Sequence, residues 1–213
     1  EDIAAELFSY GIDVITTGDH VWDKKEILHA LETNKNILRP GNYSPLAIGK
    51  GYVVKKAKRG EPIGVINLLG RVFMKPIDCP FRAVDEILKN LSRETSIIFV
   101  DMHAEATSEK IAMGWYLDGK VSAVVGTHTH VPTADERVLP KGTAFISDLG
   151  MTGPHESILG RKIECVLKAI VTQMPTRFDV AEKDVRINGV KIVVDGQTGR
   201  ADSIKRIEIK EGD

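Results

Sequence analysis

The chain holds only two cysteines, Cys79 and Cys165, among its 213 residues. That is too few for a disulfide framework and leaves the cytoplasm as the expected compartment. Excess charge of either sign is also lacking, since 29 basic and 30 acidic residues leave a net charge of −1. No field of the whole molecule draws it to nucleic acid or to an anionic membrane. Nor is there a basic stripe interleaved with aromatics, which argues against a nucleic-acid-binding module and against duplex nucleic acid as a partner. No apolar run is long enough to span a bilayer, so no membrane partner is expected. What is present is an ordinary globular balance, 42% hydrophobic and 28% charged. The length favours one domain over residues 1–213, with two small ones as the alternative.

The order of hydrophobic patterns predicts an α/β fold. Ile3, Leu7 and Phe8 lie at helical spacing ahead of Gly11. Ile12 to Thr16 is a β-branched strand that ends at Gly18-Asp19-His20. Asp23 is placed to cap a helix with Glu26 as its capping-box partner and Ile27, Leu28 and Leu31 as its apolar face. Gly51 to Lys56 and Ile63 to Leu69 read as strands of a hairpin, and Phe81 to Leu91 as an amphipathic helix. Ser96 to Val100 is a continuous apolar strand leading to Asp101-Met102-His103. Ala104 to Leu117 is predicted helical with Ile111 and Trp115 inward. Val121 to Val125 is a further strand, ahead of Gly126-Thr127-His128-Thr129-His130. Arg137 to Ser147 reads as a hairpin and Ile163 to Gln173 as a helix. Val185 to Val194 and Ile204 to Ile209 alternate around Asp195-Gly196 as an antiparallel hairpin. The mixture predicts one domain with a mixed sheet, or two sheets face to face.

Three of these strands end in potential metal ligands: Asp19 and His20, Asp101 and His103, His128 and His130. In open α/β sheets ligands bind beyond the carboxyl ends of the strands. If the three are neighbours, four of the six histidines converge on one edge. Imidazoles with a carboxylate suit zinc, iron or manganese better than magnesium or calcium. Such an ion acidifies water and polarises a phosphoryl oxygen. A histidine beside it can protonate a leaving group.

Those residues carry a resemblance. Gly18-Asp19-His20, the single His103 after a strand, and Gly126-Thr127-His128-Thr129-His130 resemble the last three motif blocks of the calcineurin-like metallophosphoesterases. Gly18-Asp19-His20-Val21-Trp22-Asp23-Lys24, Asn67-Leu68-Leu69-Gly70-Arg71-Val72-Phe73-Met74, Asp101-Met102-His103-Ala104-Glu105 and Asp148-Leu149-Gly150-Met151-Thr152-Gly153-Pro154 resemble the YmdB-like bacterial branch over nearly the whole chain. The resemblance implies an αββα sandwich and a hydrolase of phosphate esters, in particular 2′,3′-cyclic nucleotides. It implies two metal ions, iron or manganese, with zinc as a further choice. Asp19, His103 and His128 would hold one ion and His130 the other, and metal-bound hydroxide would attack with His20 as general acid. A homo-oligomer is also implied. Asp23 stands close enough in sequence to orient His20.

The chain departs from the family pattern twice. Asp19 stands where the family has Asn, which adds a negative charge at the ion. The family's first two blocks, an Asp and a Glu-Asn, would precede Glu1, so the N-terminal βαβ portion and part of the second metal site are expected to lie outside this sequence. Both departures leave a second reading open, a metal-binding regulatory or scaffold protein with little turnover.

Other residues carry plainer expectations. His29 is a surface residue of a helix. Cys79 and Cys165 are expected as small buried hydrophobes, and Trp22 and Trp115 as core. Asp101 and Asp148 are strand-end caps or supports for a histidine. His155 is structural or beside the site. Arg71 is either a phosphate contact or a solvated arginine.

Overall fold

The computed structural model describes residues 2–212. Helix α1 (Asp2–Ser9) comes first. Of the run 12–16, only β1 (Ile15–Thr16) pairs, in parallel with β2 (Ile37–Leu38). Helix α2 (Ile27–Thr33) lies between them and begins later than the capping-box pattern implies. Glu26 occupies the N-cap position without a side-chain cap bond. Asp23 bonds the His20 ring instead, at 2.8 Å. The buried face of α2 is Ala30 and Leu31, with Leu28 turned to solvent.

A six-stranded mixed sheet forms the centre. Strands β3 (Tyr52–Lys56) and β4 (Pro62–Leu69) make the expected antiparallel hairpin. Helix α3 (Pro80–Leu91) leads to β5 (Ile97–His103), and α4 (Thr107–Tyr116) leads to β6 (Ala123–Thr127). The short β7 (Arg137–Val138) and β8 (Ala144–Ile146) close the sheet in the order β3-β4-β5-β6-β8-β7. The run β4-β5-β6-β8 is parallel, and its strands are continuous apolar runs because both faces are covered.

Alternation along the strands assigns each face. Ile66, Leu68, Ile98, Val100, Met102 and Val124 form the main core with Val84 and Leu91 of α3 and Met113 and Leu117 of α4. Burying each such aliphatic side chain is worth about 1.5–3 kcal/mol. The opposite face presents Phe99, Ala123, Val125, Ala144 and Ile146. These meet Val190 and Ile192 of β10 (Val185–Val194) and Ala201 and Ile204 of β11 (Ala201–Lys210). With β9 (Gly153–Pro154), β10 and β11 form a second, three-stranded sheet. Two sheets therefore lie face to face, as the sequence implies. A third cluster, Val21, Ala30, Leu31 and Ile37, belongs to the first 38 residues.

Three expectations about side chains are corrected. Trp115 is 52% exposed. Gly114 lies against the Phe145 ring, which brings that side of α4 to the sheet. Trp115 then faces out, with the Arg137 guanidinium 5.9 Å from its ring. Cys79 and Cys165 are both half-buried rather than enclosed. Helix α5 (Ile163–Thr172) buries Val166 and leaves Ile163, Leu167, Ile170 and Val171 to solvent.

Candidate metal centre

Strand β5 does not stop at Val100 but runs on through His103, in register with β6. That register sets His103 opposite Thr127 and Asp101 opposite Val125. Asp101, His103 and Thr127 thus share one face, since alternate strand residues point the same way. The Thr127 hydroxyl donates to Asp101 Oδ1 at 2.7 Å. Its one proton being committed there, its oxygen accepts from His103 Nδ1–H at 2.9 Å. His103 Nε2 is the nitrogen left on the side of Asp19, where it could ligate an ion in place of its hydrogen bond to Asp19 Oδ1. Burial lifts the Asp101 carboxyl to about 6 against the hydroxyl bonds from Thr16 and Thr127.

His128 reaches the same point from the turn after β6. Its Nε2 lies 3.0 Å from Glu105 Oε2. That ion-pair contact leaves Nδ1, the other ring nitrogen, facing inward. His128 Nδ1 sits 3.1 Å from His103 Nε2. Asp19 Oδ1 completes the trio, 3.2 Å from His103 Nε2 and 3.9 Å from His128 Nδ1. Two imidazole nitrogens and a carboxylate oxygen therefore meet at one place, close enough to one another to ligate a single ion. The two shorter separations match those of a common ion, whose ligands at ~2.1 Å lie about 3–3.5 Å apart, while the 3.9 Å between Asp19 Oδ1 and His128 Nδ1 is wider.

The electrostatics favour the unprotonated forms of His103 and Asp19. Burial, and then the neighbouring His128, hold the His103 imidazole below its ordinary value, outweighing Asp19. Burial pushes the Asp19 carboxyl up, but His20, His103 and His128 together bring it below the usual carboxylate range.

Backbone shape makes the approach possible. A Cβ at Gly18 would overlap the His103 ring, so only glycine lets that imidazole lie against the Asp19 loop. A Cβ at Gly126 would overlap the Ser147 carbonyl oxygen where β6 passes β8. His128 and His130 both have positive φ, 110° and 67°. Such strain costs of order 1–3 kcal/mol per residue, persists where the surroundings over-determine it, and gathers at functional sites.

The remaining candidates stand around this trio. His20 is 76% exposed, with Nδ1 on Asp23 at 2.8 Å and Nε2 3.8 Å from Asp19 Oδ1. Asp23 thus stands where the sequence suggests. His130 is not part of the trio; its ring is exposed, with Nδ1 3.4 Å from the Leu159 carbonyl. Asp148 supports the turn, through Thr129 N–H at 3.0 Å. His155 bonds Asn188 at 2.9 Å, and the exposed Arg71 gives its backbone N–H to Glu109.

The model of the YmdB-like protein family matches residues 1–207. The chain belongs to this family. It is 50% identical to the Bacillus subtilis (strain 168) 2′,3′-cyclic-nucleotide 2′-phosphodiesterase, over 99% of this chain and 80% of that protein. It resembles the crystal structure of a hypothetical protein from Thermus thermophilus with a TM-score of 0.93 and 40% identity, over 99% of this chain and 81% of that one. It also resembles the crystal structure of a novel phosphatase from Mycoplasma pneumoniae, with a TM-score of 0.88 and 34% identity, over 97% and 75%. The YmdB-like resemblance and the metallophosphoesterase-type α/β fold read from the motifs are thereby borne out. No described helix is long and apolar enough to cross a membrane.

Within this YmdB-like chain, sequence reasoning assigns no role to Glu105, Thr127 or Lys110. Glu105 sits two residues past His103, which hides its reach to His128. Thr127 carries a signal, because it lies between a strand and a histidine and faces the same way as Val125.

Proposed function

We propose that this protein is a metal-dependent phosphodiesterase acting on 2′,3′-cyclic nucleotides. The observation that carries the reading is the convergence of Asp19 Oδ1, His103 Nε2 and His128 Nδ1 on one point. Its support from likeness is the 50% identity to an enzyme of that name. Asp19, His103 and His128 would hold a divalent ion. Two nitrogens and a carboxylate suit manganese, iron or zinc. Such an ion supplies Lewis acidity toward a phosphoryl oxygen and toward water. In the two-ion form of this reading His130 serves the second ion.

The chain's own groups do the rest. His20 stands beside the trio with its ring open to a substrate. Asp23 accepts Nδ1–H and so aims Nε2 away from itself, toward the site. An imidazolium held this way protonates the ribose oxygen that leaves when the cyclic ester opens. Thr127, bonded to His103 Nδ1, and Glu105, beside His128 Nε2, leave the other nitrogen of each ring to serve the ion. The test is hydrolysis of 2′,3′-cyclic AMP by protein loaded with manganese or iron. Hydrolysis that disappears on chelation supports the reading; no turnover with either metal sinks it.

Asp19 gives a second reading its footing. Its extra charge opposes an incoming phosphate and favours a protein that holds metal without turnover. Tight metal binding with no hydrolysis would select it.

A further inference from the structure

The left-handed turn that carries His128 and His130 must be held by something, and the structure shows what lies beneath it. Lys110 of α4 and Asp148, just after β8, form an ion pair at 2.9 Å with both side chains 1% exposed. The Asp148 oxygen that Lys110 touches also accepts Thr129 N–H at 3.0 Å. The other oxygen accepts Gly150 N–H at 2.9 Å. Lys110 Nζ further reaches the Thr127 carbonyl at 3.4 Å. The Asp148 backbone is itself pinned: its N–H donates to Thr133 Oγ1 at 3.0 Å and its carbonyl accepts from Thr133 N–H at 3.1 Å. Gly126 makes room, since a Cβ there would meet the Lys110 stem as well as Ser147.

We propose that the buried Lys110–Asp148 pair is a positioning device for the metal centre. It fixes the backbone on both sides of His128, at Thr127 and Thr129, and so holds His128 Nδ1 on the point shared with Asp19 and His103. An uncharged side chain at 148 lacks the acceptor capacity for three donors. A carboxylate has it, but a buried carboxylate needs a cation, and Lys110 supplies one from a helix anchored in the main core. The pair touches neither the ion nor the substrate; it acts through the turn. This rests on the metal-centre reading above.

The test uses the whole chain. Metal-free wild type is followed by amide hydrogen exchange, and manganese affinity is measured by calorimetric titration. The Thr129 and Gly150 amides are expected to be strongly protected without metal. Lys110→Met with Asp148→Leu removes the charges together, and such paired replacements often leave stability unchanged. This double variant is expected to melt near the wild-type temperature, to lose Thr129 protection, and to bind manganese roughly ten- to a hundredfold more weakly, as loss of supports around metal ligands does. Lys110→Gln with Asp148→Asn keeps a neutral acceptor for Thr129 N–H and is expected to recover most of that affinity. A pair that merely fills space would give both doubles equal affinity.

Wild-type affinity in the folded Met/Leu double overturns the proposal. If that double does not fold, wild-type exchange decides, and an unprotected Thr129 amide overturns it. If wild type binds no manganese while Thr129 is protected, the metal reading fails and the clamp on the turn stands.

Discussion

Glu105 Oε2 lies 3.0 Å from His128 Nε2, while the other ring nitrogen, Nδ1, faces Asp19 and His103. The Glu105 side chain is 49% exposed, so it contributes little to folding. Glu105→Ala is expected to weaken manganese binding about tenfold and to leave the melting temperature of the metal-free protein nearly unchanged. Calorimetric titration beside a thermal melt checks both. Unchanged affinity would show that His128 is oriented without Glu105.

His20 and Asp23 should separate proton donation from metal binding. His20→Ala is expected to slow 2′,3′-cyclic AMP hydrolysis by ~10²–10⁴-fold while the metal content stays the same. An ester with a p-nitrophenolate leaving group, which needs little protonation, should lose much less. Asp23→Asn should give a smaller loss in the same pattern. Equal losses on both substrates would count against His20 as the acid.

Gly126 tests the close passage of β6 by β8. Alanine there places a methyl group on the Ser147 carbonyl oxygen, which is backbone and yields poorly. The expected cost is roughly 3 kcal/mol, the upper end for overpacking, read from urea unfolding. A wild-type midpoint would mean that the two strands part freely.

Asp135 gives a pH dependence away from the metal. Burial raises its carboxyl, but bonds from Thr133 and Ser147 outweigh this and bring it below the usual carboxylate range. It accepts Ser147 Oγ–H at 2.7 Å and Ser147 N–H at 3.1 Å. The unfolded chain then takes up this proton at a higher pH than the folded one. The contribution is full above the ordinary carboxylate range. It fades as pH falls through that range toward the lower folded value. Asp135→Asn should cost about 1 kcal/mol at pH 7, the net worth of a hydrogen bond, and less at pH 3. Urea midpoints at the two pH values check it; an equal cost at both would contradict the bonding seen here.

Much of the centre is legible in the sequence because its ligands follow strongly apolar runs. Val121 to Val125 and Ile97 to Val100 are largely buried on both faces, so they announce parallel neighbours, and His103 and His128 then share an edge. Asp19 is legible through Gly18, whose missing side chain the His103 ring occupies. What stays hidden depends on direction rather than pattern. Asp23 looks like a helix cap because spacing does not reveal that His20 competes for it. Trp115 looks like core because apolar spacing does not show that Gly114 brings the neighbouring side of α4 to the sheet. The inward nitrogens of His103 and His128 depend on the register that sets Thr127 beside His103 and on the positive-φ turn that carries His128.

The centre also straddles a seam. Asp19 belongs to the N-terminal segment, whose small core reaches on to Tyr43 and Ile48, while both histidines hang from the main sheet. Across that seam the buried Asn67 amide donates to the Thr17 carbonyl at 2.9 Å and the Leu38 carbonyl at 3.1 Å. Ligand and histidines are therefore delivered by two packing clusters, and an ion bound there would link them. Loosening the small core far from Asp19, at Ala30 or Leu31, will surface first as lost metal and only later as lost fold.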